Sequence, residues 1–218
     1  MLLSKSVNVW FQGKRILKRA QSSIPKFFPK HEVARFFAII PRRNLRDRVL
    51  FDLIYRYGLR RGEAARLRCE DIDLRERTIT IHRLKRSRSG VYRLYSDSEF
   101  LLRRYLKTLP PSQMYLFAGR RAGTHLSTAT IYYACRKYAR KAGLSRSNPH
   151  AFRHSCGVHA ANARLDLLDI ADMLGHKSIA TAVRYTAVSS MRRDDNYRRI
   201  TRSGAFASSV QPRTKTKG

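Results

Sequence analysis

The feature that most constrains the fold is the sequence of residues 147–185, because helix-boundary signals divide it into short segments. Pro149 suits the first position of a helix, where its missing N–H costs nothing. Asp166 and Ser178 are typical capping residues, and each predicts the start of a further helix. Gly175 predicts the end of the helix that begins at Asp166. The segment therefore favours consecutive short helices over strands.

Helical spacing also occurs earlier in the chain. Apolar residues recur every three or four positions in residues 31–40 and 47–57, and Gly58 predicts the end of the second helix. By contrast, residues 78–82 and 91–95 alternate and are rich in β-branched side chains, with turn residues between them, which predicts a β-hairpin. Further helices are predicted at residues 62–67, 98–106 and 127–143. The predicted fold class is mainly α with a small β-hairpin or sheet (α+β).

The large net positive charge of the chain indicates what class of molecule it binds. The 218 residues include 46 Lys and Arg against 15 Asp and Glu, a formal charge of +31. A compact body with that charge repels itself until counter-ions or a polyanion gather around it, so nucleic acid is the natural partner. Composition alone also allows a basic ribosomal-type protein or a membrane-surface protein. The 43% of hydrophobic residues suffice for the core of one domain.

The cysteines and the apolar runs argue against several other classes. Cys69, Cys135 and Cys156 are odd in number, widely spaced and form no Cys-x-x-Cys pair, so neither a disulfide framework nor a zinc site is indicated. No apolar run approaches the roughly 18 residues that a membrane span requires. We therefore expect a protein of a reducing interior, cytoplasmic and nucleoid-associated, with no metal site and no membrane partner.

Basic segments flank the predicted domain, which we place at residues 31–187. Residues 1–30 contain lysines and arginines but no acid, and we interpret them as an arm that lies along phosphates. The same composition is typical of an organelle transit peptide, so that alternative stays open. Residues 188–218 form a basic tail, predicted to be partly helical and then disordered. The candidate DNA-binding side chains of the arm and the hairpin tip are Lys14, Arg15, Lys18, Arg19, Arg86 and Arg88.

Several side chains near the C-terminal end are suited to phosphate chemistry. His150 and Arg153 fall three apart near a predicted helix N-terminus, where backbone N–H groups and the helix dipole favour an anion. His176 follows the turn glycine, and Tyr185 comes nine residues later. Two imidazoles, a guanidinium and a phenol are what a protein needs to bind a phosphodiester and attack it with a tyrosine. Taken alone, the tyrosine would be interpreted as packing and the second histidine as a helix C-cap ligand.

Five motifs follow one another along residues 31–187. They are Gly58-Leu59-Arg60 with Glu63 three residues on, Lys85 in the hairpin, His150-x-x-Arg153, Leu174-Gly175-His176, and Tyr185. Together they resemble the catalytic signature of the tyrosine recombinases, the phage integrase and Xer family. The resemblance implies the fold of the DNA breaking-rejoining enzymes. The family usually carries a separate DNA-clamping domain before the catalytic domain, and here only the short basic residues 1–30 stand in that place. We therefore expect a catalytic domain alone, as in the short recombinases that invert fimbrial switches, or a truncated element that has lost half its grip on DNA.

The resemblance further implies a role for each residue of the signature. Arg60 and Arg153 would clamp the scissile phosphate, aided by His150 and His176. Tyr185 would attack the phosphorus and form a 3′-phosphotyrosyl link. The 5′-hydroxyl of a second strand would then reverse the step and exchange the strands.

The remaining assignments concern residues around this centre. Lys85 would protonate the 5′-oxygen that leaves, and Glu63 would orient His150 or Arg60 rather than react. The chemistry implied needs no metal, ATP or other cofactor, because the bond energy is kept in the phosphotyrosine. His154 and His159 fall outside the signature and are interpreted as structural.

We therefore expect a site-specific DNA recombinase that acts as a homotetramer on paired double-stranded recombination sites. Residues 188–200 would dock on a neighbouring protomer, and an accessory DNA-bending protein or a partner recombinase is compatible with the resemblance. Integration, excision, inversion and dimer resolution all use this chemistry. Two rival functions stay open: a type IB topoisomerase, which rejoins the same strand, and a non-catalytic DNA-binding regulator with the same fold.

Overall fold

The computed structural model describes residues 25–84, 87–186 and 198 of the chain. The helices of this part are α1 (Lys30–Ile39), α2 (Leu45–Arg56), α3 (Arg61–Arg66), α4 (Ser96–Leu106), α5 (Thr128–Lys141), α6 (Pro149–Asn162), α7 (Leu167–Met173) and α8 (Val183–Thr186). The strands are β1 (Ile72–Asp73), β2 (Thr78–Ile81) and β3 (Gly90–Arg93), and 3-10 turns lie at Cys69–Asp71 and Ile179–Thr181. The predicted α+β class, mainly α with a small sheet, is confirmed. Within the described residues, no helix is long and apolar enough to cross a membrane.

The helix boundaries near the C-terminal end follow the sequence signals with one exception. Pro149 is the first residue of α6, the side chain of Asp166 accepts hydrogen bonds from the first N–H groups of α7, and Gly175 follows α7 with a φ of +64°. Ser178 does not cap the helix that contains the candidate tyrosine, so that prediction is wrong. A 3-10 turn follows Ser178 instead, and α8 begins at Val183.

The small sheet has the antiparallel order β1-β2-β3. The predicted hairpin is formed by β2 and β3, with Ile79 opposite Tyr92 and Thr80 opposite Val91. Ile79 and Ile81 are buried while the residues between and beside them are partly exposed, as alternation predicts. Strand β1 has two residues and is too short to show alternation in the sequence.

Helix α6 contributes to two hydrophobic clusters and so fixes one against the other. Phe152 lies in the larger cluster, with its ring centroid 4.7 Å from those of both Phe28 and Phe36. One turn later, Cys156 lies in a smaller cluster that also contains Leu174. Aromatic rings at such distances and angles stabilise a core by more than the burial of their apolar surface alone. The chain after α6 is therefore held on a rigid support.

The folded core begins before residue 31, where the sequence places the start of the domain. Phe28 is fully buried, and its backbone N–H donates to the hydroxyl of Ser155 (2.8 Å). Phe27 packs edge-on against His159. Residues 25–30 thus pack on the folded domain through Phe27 and Phe28, whereas the rest of the predicted arm and the predicted tail, apart from residue 198, lie outside the described residues.

Candidate active site

One face of α6 forms the floor of the candidate site. His150, Arg153, His154 and Gly157 occupy positions i, i+3, i+4 and i+7 of this helix, so they lie along a single stripe. The side chain of Asn148 caps the helix by accepting from the N–H of His150 (2.9 Å). This capping fixes the first turn, and with it the direction in which the stripe faces.

The signature residues that the structure describes lie together. Arg60, His150, Arg153, His176 and Tyr185 line one open cavity of about 370 Å³. Lys177 and Arg184, which the motifs did not single out, add two further cations to its wall. Lys85 lies outside the described residues, as do Arg86 and the arm residues Lys14, Arg15, Lys18 and Arg19. Arg88 is exposed on the same hairpin loop.

Arg153 is buried and joins two segments that are far apart in sequence. Its guanidinium donates to the carbonyl oxygen of Gly58 and to that of Leu174 (2.7 Å). Burial, together with the nearby charges of Arg60 and Arg83, lowers the pKa of Arg153 to about 10, so the side chain stays charged at neutral pH. The first half of the signature is thereby fastened to the second.

Glu63 supplies the negative charge among these arginines. The residue is 3% exposed, and its carboxylate accepts from the backbone N–H of Arg60 (2.8 Å), from Nη1 of Arg60 (2.6 Å) and from Nη1 of Arg83 (3.0 Å). Nη1 of Arg153 lies 4.0 Å from the same carboxylate. Burial opposes ionisation, but the N–H of Arg60 and the charges of Arg83 and Arg60 outweigh it, so the pKa of Glu63 is lowered. The resemblance implies that Glu63 orients either His150 or Arg60. The hydrogen bonds show that Arg60 is the residue it orients.

Arg83 is a residue of the site that the sequence interpretation missed. Its side chain is wholly buried and donates to the carbonyl oxygens of Tyr57 (3.0 Å) and Met173 (2.6 Å), besides Glu63. It also packs on Gly175, where an added Cβ would lie 2.9 Å from its Nε. In an arginine-rich chain, residue type alone does not distinguish Arg83 from the solvent-exposed cations of the hairpin. The signal that identifies it is alternation, because residues 79, 81 and 83 face the same side.

Tyr185 lies against α6 and is 1% exposed. Its ring lies against Gly157, where an added Cβ would come within 2.8 Å of the ring, so position 157 admits no side chain. The ring of His176 is parallel to it, with centroids 6.2 Å apart. The hydroxyl of Tyr185 lies 3.2 Å from Nδ1 of His154. His154 is therefore part of the site, whereas His159 bonds the hydroxyl of Tyr55 (2.7 Å) outside it, as a structural residue would.

The histidines of the site are neutral at pH 7. Burial and then the neighbouring arginines lower the pKa of His176 to about 4 and lower that of His150. Nδ1 of His176 is buried and has no hydrogen-bond partner among the described residues. Burial raises the pKa of Tyr185, although the charges of Arg153 and Arg184 oppose the effect. The cavity therefore offers guanidinium charges and neutral imidazoles to a ligand.

The described residues contain no group of three or more His, Cys, Asp or Glu side chains placed to hold a metal ion. The positive charge that the cavity presents comes from arginines and Lys177, and its wall contains Tyr185. Cationic donors around an open cavity, with the hydroxyl of Tyr185 beside them, fit attack on a phosphodiester.

Comparison with known sequences places the chain in a family. It matches the model of the phage integrase family over residues 26–192. It is 32% identical over 168 residues to the tyrosine recombinase XerA of Thermococcus kodakarensis, covering 76% of this chain and 59% of that protein. It is 36% identical over 144 residues to the type 1 fimbriae regulatory protein FimB of Escherichia coli K12, covering 64% and 72%. The chain belongs to the phage integrase family and contains a tyrosine recombinase catalytic domain. It spans about three fifths of the length of the XerA relative.

Solved structures agree on the fold. The crystal structure of XerA superposes with a TM-score of 0.70 at 24% identity, covering 81% of this chain and 65% of that chain. A post-cleavage complex of the site-specific recombinase XerH with palindromic difH substrate gives 0.68 at 25% identity, covering 81% and 53%. The predicted tyrosine recombinase catalytic fold is confirmed.

We expect Arg83→Met to destabilise the protein, because it removes the buried ion pair with Glu63 and the donor that Arg83 supplies to the carbonyls of Tyr57 and Met173. Removing one partner of a buried ion pair costs about 3–5 kcal/mol. Urea unfolding should show a loss of that size. Arg88→Met, on the exposed part of the same loop, is the matched control and should change the unfolding free energy by less than about 0.5 kcal/mol. Equal, small effects of the two substitutions would contradict the anchoring role of Arg83.

Proposed function

We propose that this protein is a site-specific DNA recombinase that cuts and rejoins strands through a 3′-phosphotyrosyl intermediate. The main support for the proposal is that candidate catalytic side chains from distant parts of the sequence meet at one place. Arg60, His150, Arg153, His176 and Tyr185 come from separate segments of the chain, and they line one cavity. Residues that serve only in packing would not be expected to line one shared cavity.

The arginines are assigned to the scissile phosphate. In-line attack adds negative charge to the two non-bridging oxygens, and preorganised guanidiniums stabilise that charge. Arg153 is held by the carbonyls of Gly58 and Leu174, and Arg60 is held by Glu63. These contacts order both side chains before DNA binds, which supports their assignment as a preorganised clamp. His150 and His176, neutral at pH 7, are assigned as hydrogen-bond donors to the same oxygens.

The reacting groups are Tyr185 and the oxygen that leaves. The phenolic oxygen of Tyr185 bonds to phosphorus as the bond from phosphorus to the 5′-oxygen breaks. We assign protonation of that 5′-oxygen to Lys85, two residues after Arg83. The buried contacts of Arg83 support this assignment, because they anchor the hairpin backbone just before the lysine. Attack by a 5′-hydroxyl reverses the step and needs no cofactor.

Double-stranded DNA with specific recombination sites is the proposed substrate. The net charge of +31 and the cationic wall of the cavity, which includes Lys177 and Arg184, support DNA binding. The XerA relative is named a tyrosine recombinase, and the XerH structure contains its difH substrate. Exchange of both strands between two duplexes needs four breaks, and each protomer offers one Tyr185. We therefore propose a homotetramer on DNA, with residues 188–200 contacting a neighbouring protomer.

We expect Tyr185→Phe to abolish covalent capture of a nicked suicide duplex, because phenylalanine has no oxygen to bond to phosphorus. The measurement is a denaturing gel of protein and labelled DNA, and binding of the duplex should be retained. Tyr133→Phe, which changes an exposed tyrosine of α5, is the matched control and should leave capture unchanged. A covalent complex formed by Tyr185→Phe would show that the nucleophile is misassigned. Relaxation of a supercoiled plasmid without exchange between two sites would instead support a topoisomerase.

We expect the basic arm to contribute phosphate contacts. Replacement of Lys14, Arg15, Lys18 and Arg19 by glutamine should weaken DNA binding and flatten its salt dependence. Each lost contact lowers the slope of log K against log salt by about 0.9. The replacements leave residues 25–30 in place, because Phe28 belongs to the core. Fluorescence anisotropy at several salt concentrations gives the slope. An unchanged slope would remove the arm from the DNA interface and favour its interpretation as a transit peptide.

A further inference from the structure

His154 is in hydrogen-bond contact with the hydroxyl of Tyr185, although it belongs to none of the motifs of the signature. Its Nδ1 lies 3.2 Å from that hydroxyl, which has no other side-chain partner in the part of the chain that the structure describes. The ring of His176 faces the ring of Tyr185 rather than its hydroxyl, since the two rings are parallel with centroids 6.2 Å apart. Of the imidazoles of the site, His154 is thus the one bonded to the phenol.

The contact depends on the surface of α6. Gly157, three residues after His154, lets the ring of Tyr185 lie flat on the helix, because an added Cβ there would meet the ring at 2.8 Å. The ring of His150 stacks edge-on against His154 with centroids 4.6 Å apart, which limits the rotation of the imidazole. Three positions of one helix stripe therefore determine where the phenol lies and which atom it meets.

We propose that His154 accepts the phenolic proton of Tyr185 on Nδ1 as the tyrosine attacks phosphorus. The O–H bond of Tyr185 breaks and its proton passes to His154, while the phenolic oxygen bonds to phosphorus. The bond from phosphorus to the 5′-oxygen breaks, and the 5′-oxygen takes its proton from Lys85. When strands rejoin, His154 returns the proton to the phenolic oxygen. The inference rests on the proposed function, which supplies the reaction.

The surroundings keep His154 in the form that can accept a proton. Besides Tyr185, the charged and titratable groups that line the cavities beside it are Arg60, His150, Arg153, His176, Lys177, Arg184, Lys26 and Arg146. Burial, and then interactions with His150, Arg184 and Arg153, lower the pKa of His154 to about 4, so its ring is neutral at pH 7. A DNA phosphate in the cavity offsets those positive charges, so it moves the pKa back toward the ordinary imidazole range and makes the ring a stronger base.

The first test is the single-turnover rate of covalent capture on a nicked suicide duplex. Asparagine places a polar atom near the position of Nδ1 but takes up no proton, so His154→Asn should cleave about 10²- to 10⁴-fold more slowly, as for loss of a general base. DNA affinity and the thermal unfolding midpoint should stay near those of the unaltered protein. His159→Asn, five residues further along the same helix, is the matched control and should change the rate only a few-fold.

The second test separates proton transfer from packing. In His154→Ala, added imidazole should restore cleavage in proportion to its concentration, because it occupies the space of the lost ring. The rate of the unaltered protein should also fall below the pKa of His154, since a protonated ring accepts nothing, and the alanine variant should lack this acid limb. Difluorotyrosine at position 185, whose phenol is more acidic, should reduce the deficit of the alanine variant.

The outcomes distinguish the inference from the function on which it rests. If the unaltered protein forms no covalent complex with the nicked suicide duplex, the proposed function fails. If the unaltered protein captures DNA and His154→Asn does so at nearly the same rate, proton acceptance by His154 is overturned. A slow alanine variant that neither imidazole nor difluorotyrosine improves would also overturn it, and would leave His154 as a residue that only packs against Tyr185.

Discussion

The site depends on one buried carboxylate. Glu63 accepts hydrogen bonds from the guanidiniums of Arg60 and Arg83 and lies 4.0 Å from that of Arg153. Three like charges in a poorly solvated space would otherwise repel one another strongly. Because Glu63 also bonds the backbone N–H at the start of α3, the carboxylate fixes the helix and the charges together. It leaves an excess of positive charge facing the cavity, which is what a phosphodiester requires.

The arginines in turn hold the two halves of the site together through backbone carbonyls. Arg153 joins the carbonyl of Gly58 to that of Leu174, and Arg83 joins those of Tyr57 and Met173. These bonds run from the end of α2 to the end of α7, segments more than a hundred residues apart. Donors to buried carbonyls are costly to lose, because the carbonyls then remain unsatisfied. The cavity is thus a product of the same contacts that stabilise the fold.

The sequence predicts the parts of this arrangement that depend on local chemistry. Helix boundaries at Pro149 and Gly175 follow from backbone geometry. Of the signature residues that the structure describes, Arg60, His150, Arg153, His176 and Tyr185 meet in one cavity. It does not predict contacts that depend on tertiary packing. The burial of Arg83 is not evident from the sequence, because a charged residue is usually solvent-exposed. In a chain with 46 Lys and Arg, one more arginine also does not indicate a functional site. The contact of His154 with Tyr185 cannot be predicted from the sequence, because it depends on where the ring of Tyr185 packs in the folded protein.

The most direct test of the central role of Glu63 is the titration of its carboxyl group, followed by NMR on protein with ¹³C-labelled glutamate. Glu63→Gln identifies the resonance. The arginines should hold the pKa below the ordinary value of 4.5, so that their stabilisation is present at neutral pH and is lost as the pH falls through the lowered pKa. A pKa at or above 4.5 would mean that burial outweighs the arginines, and it would contradict the view that this carboxylate organises the site.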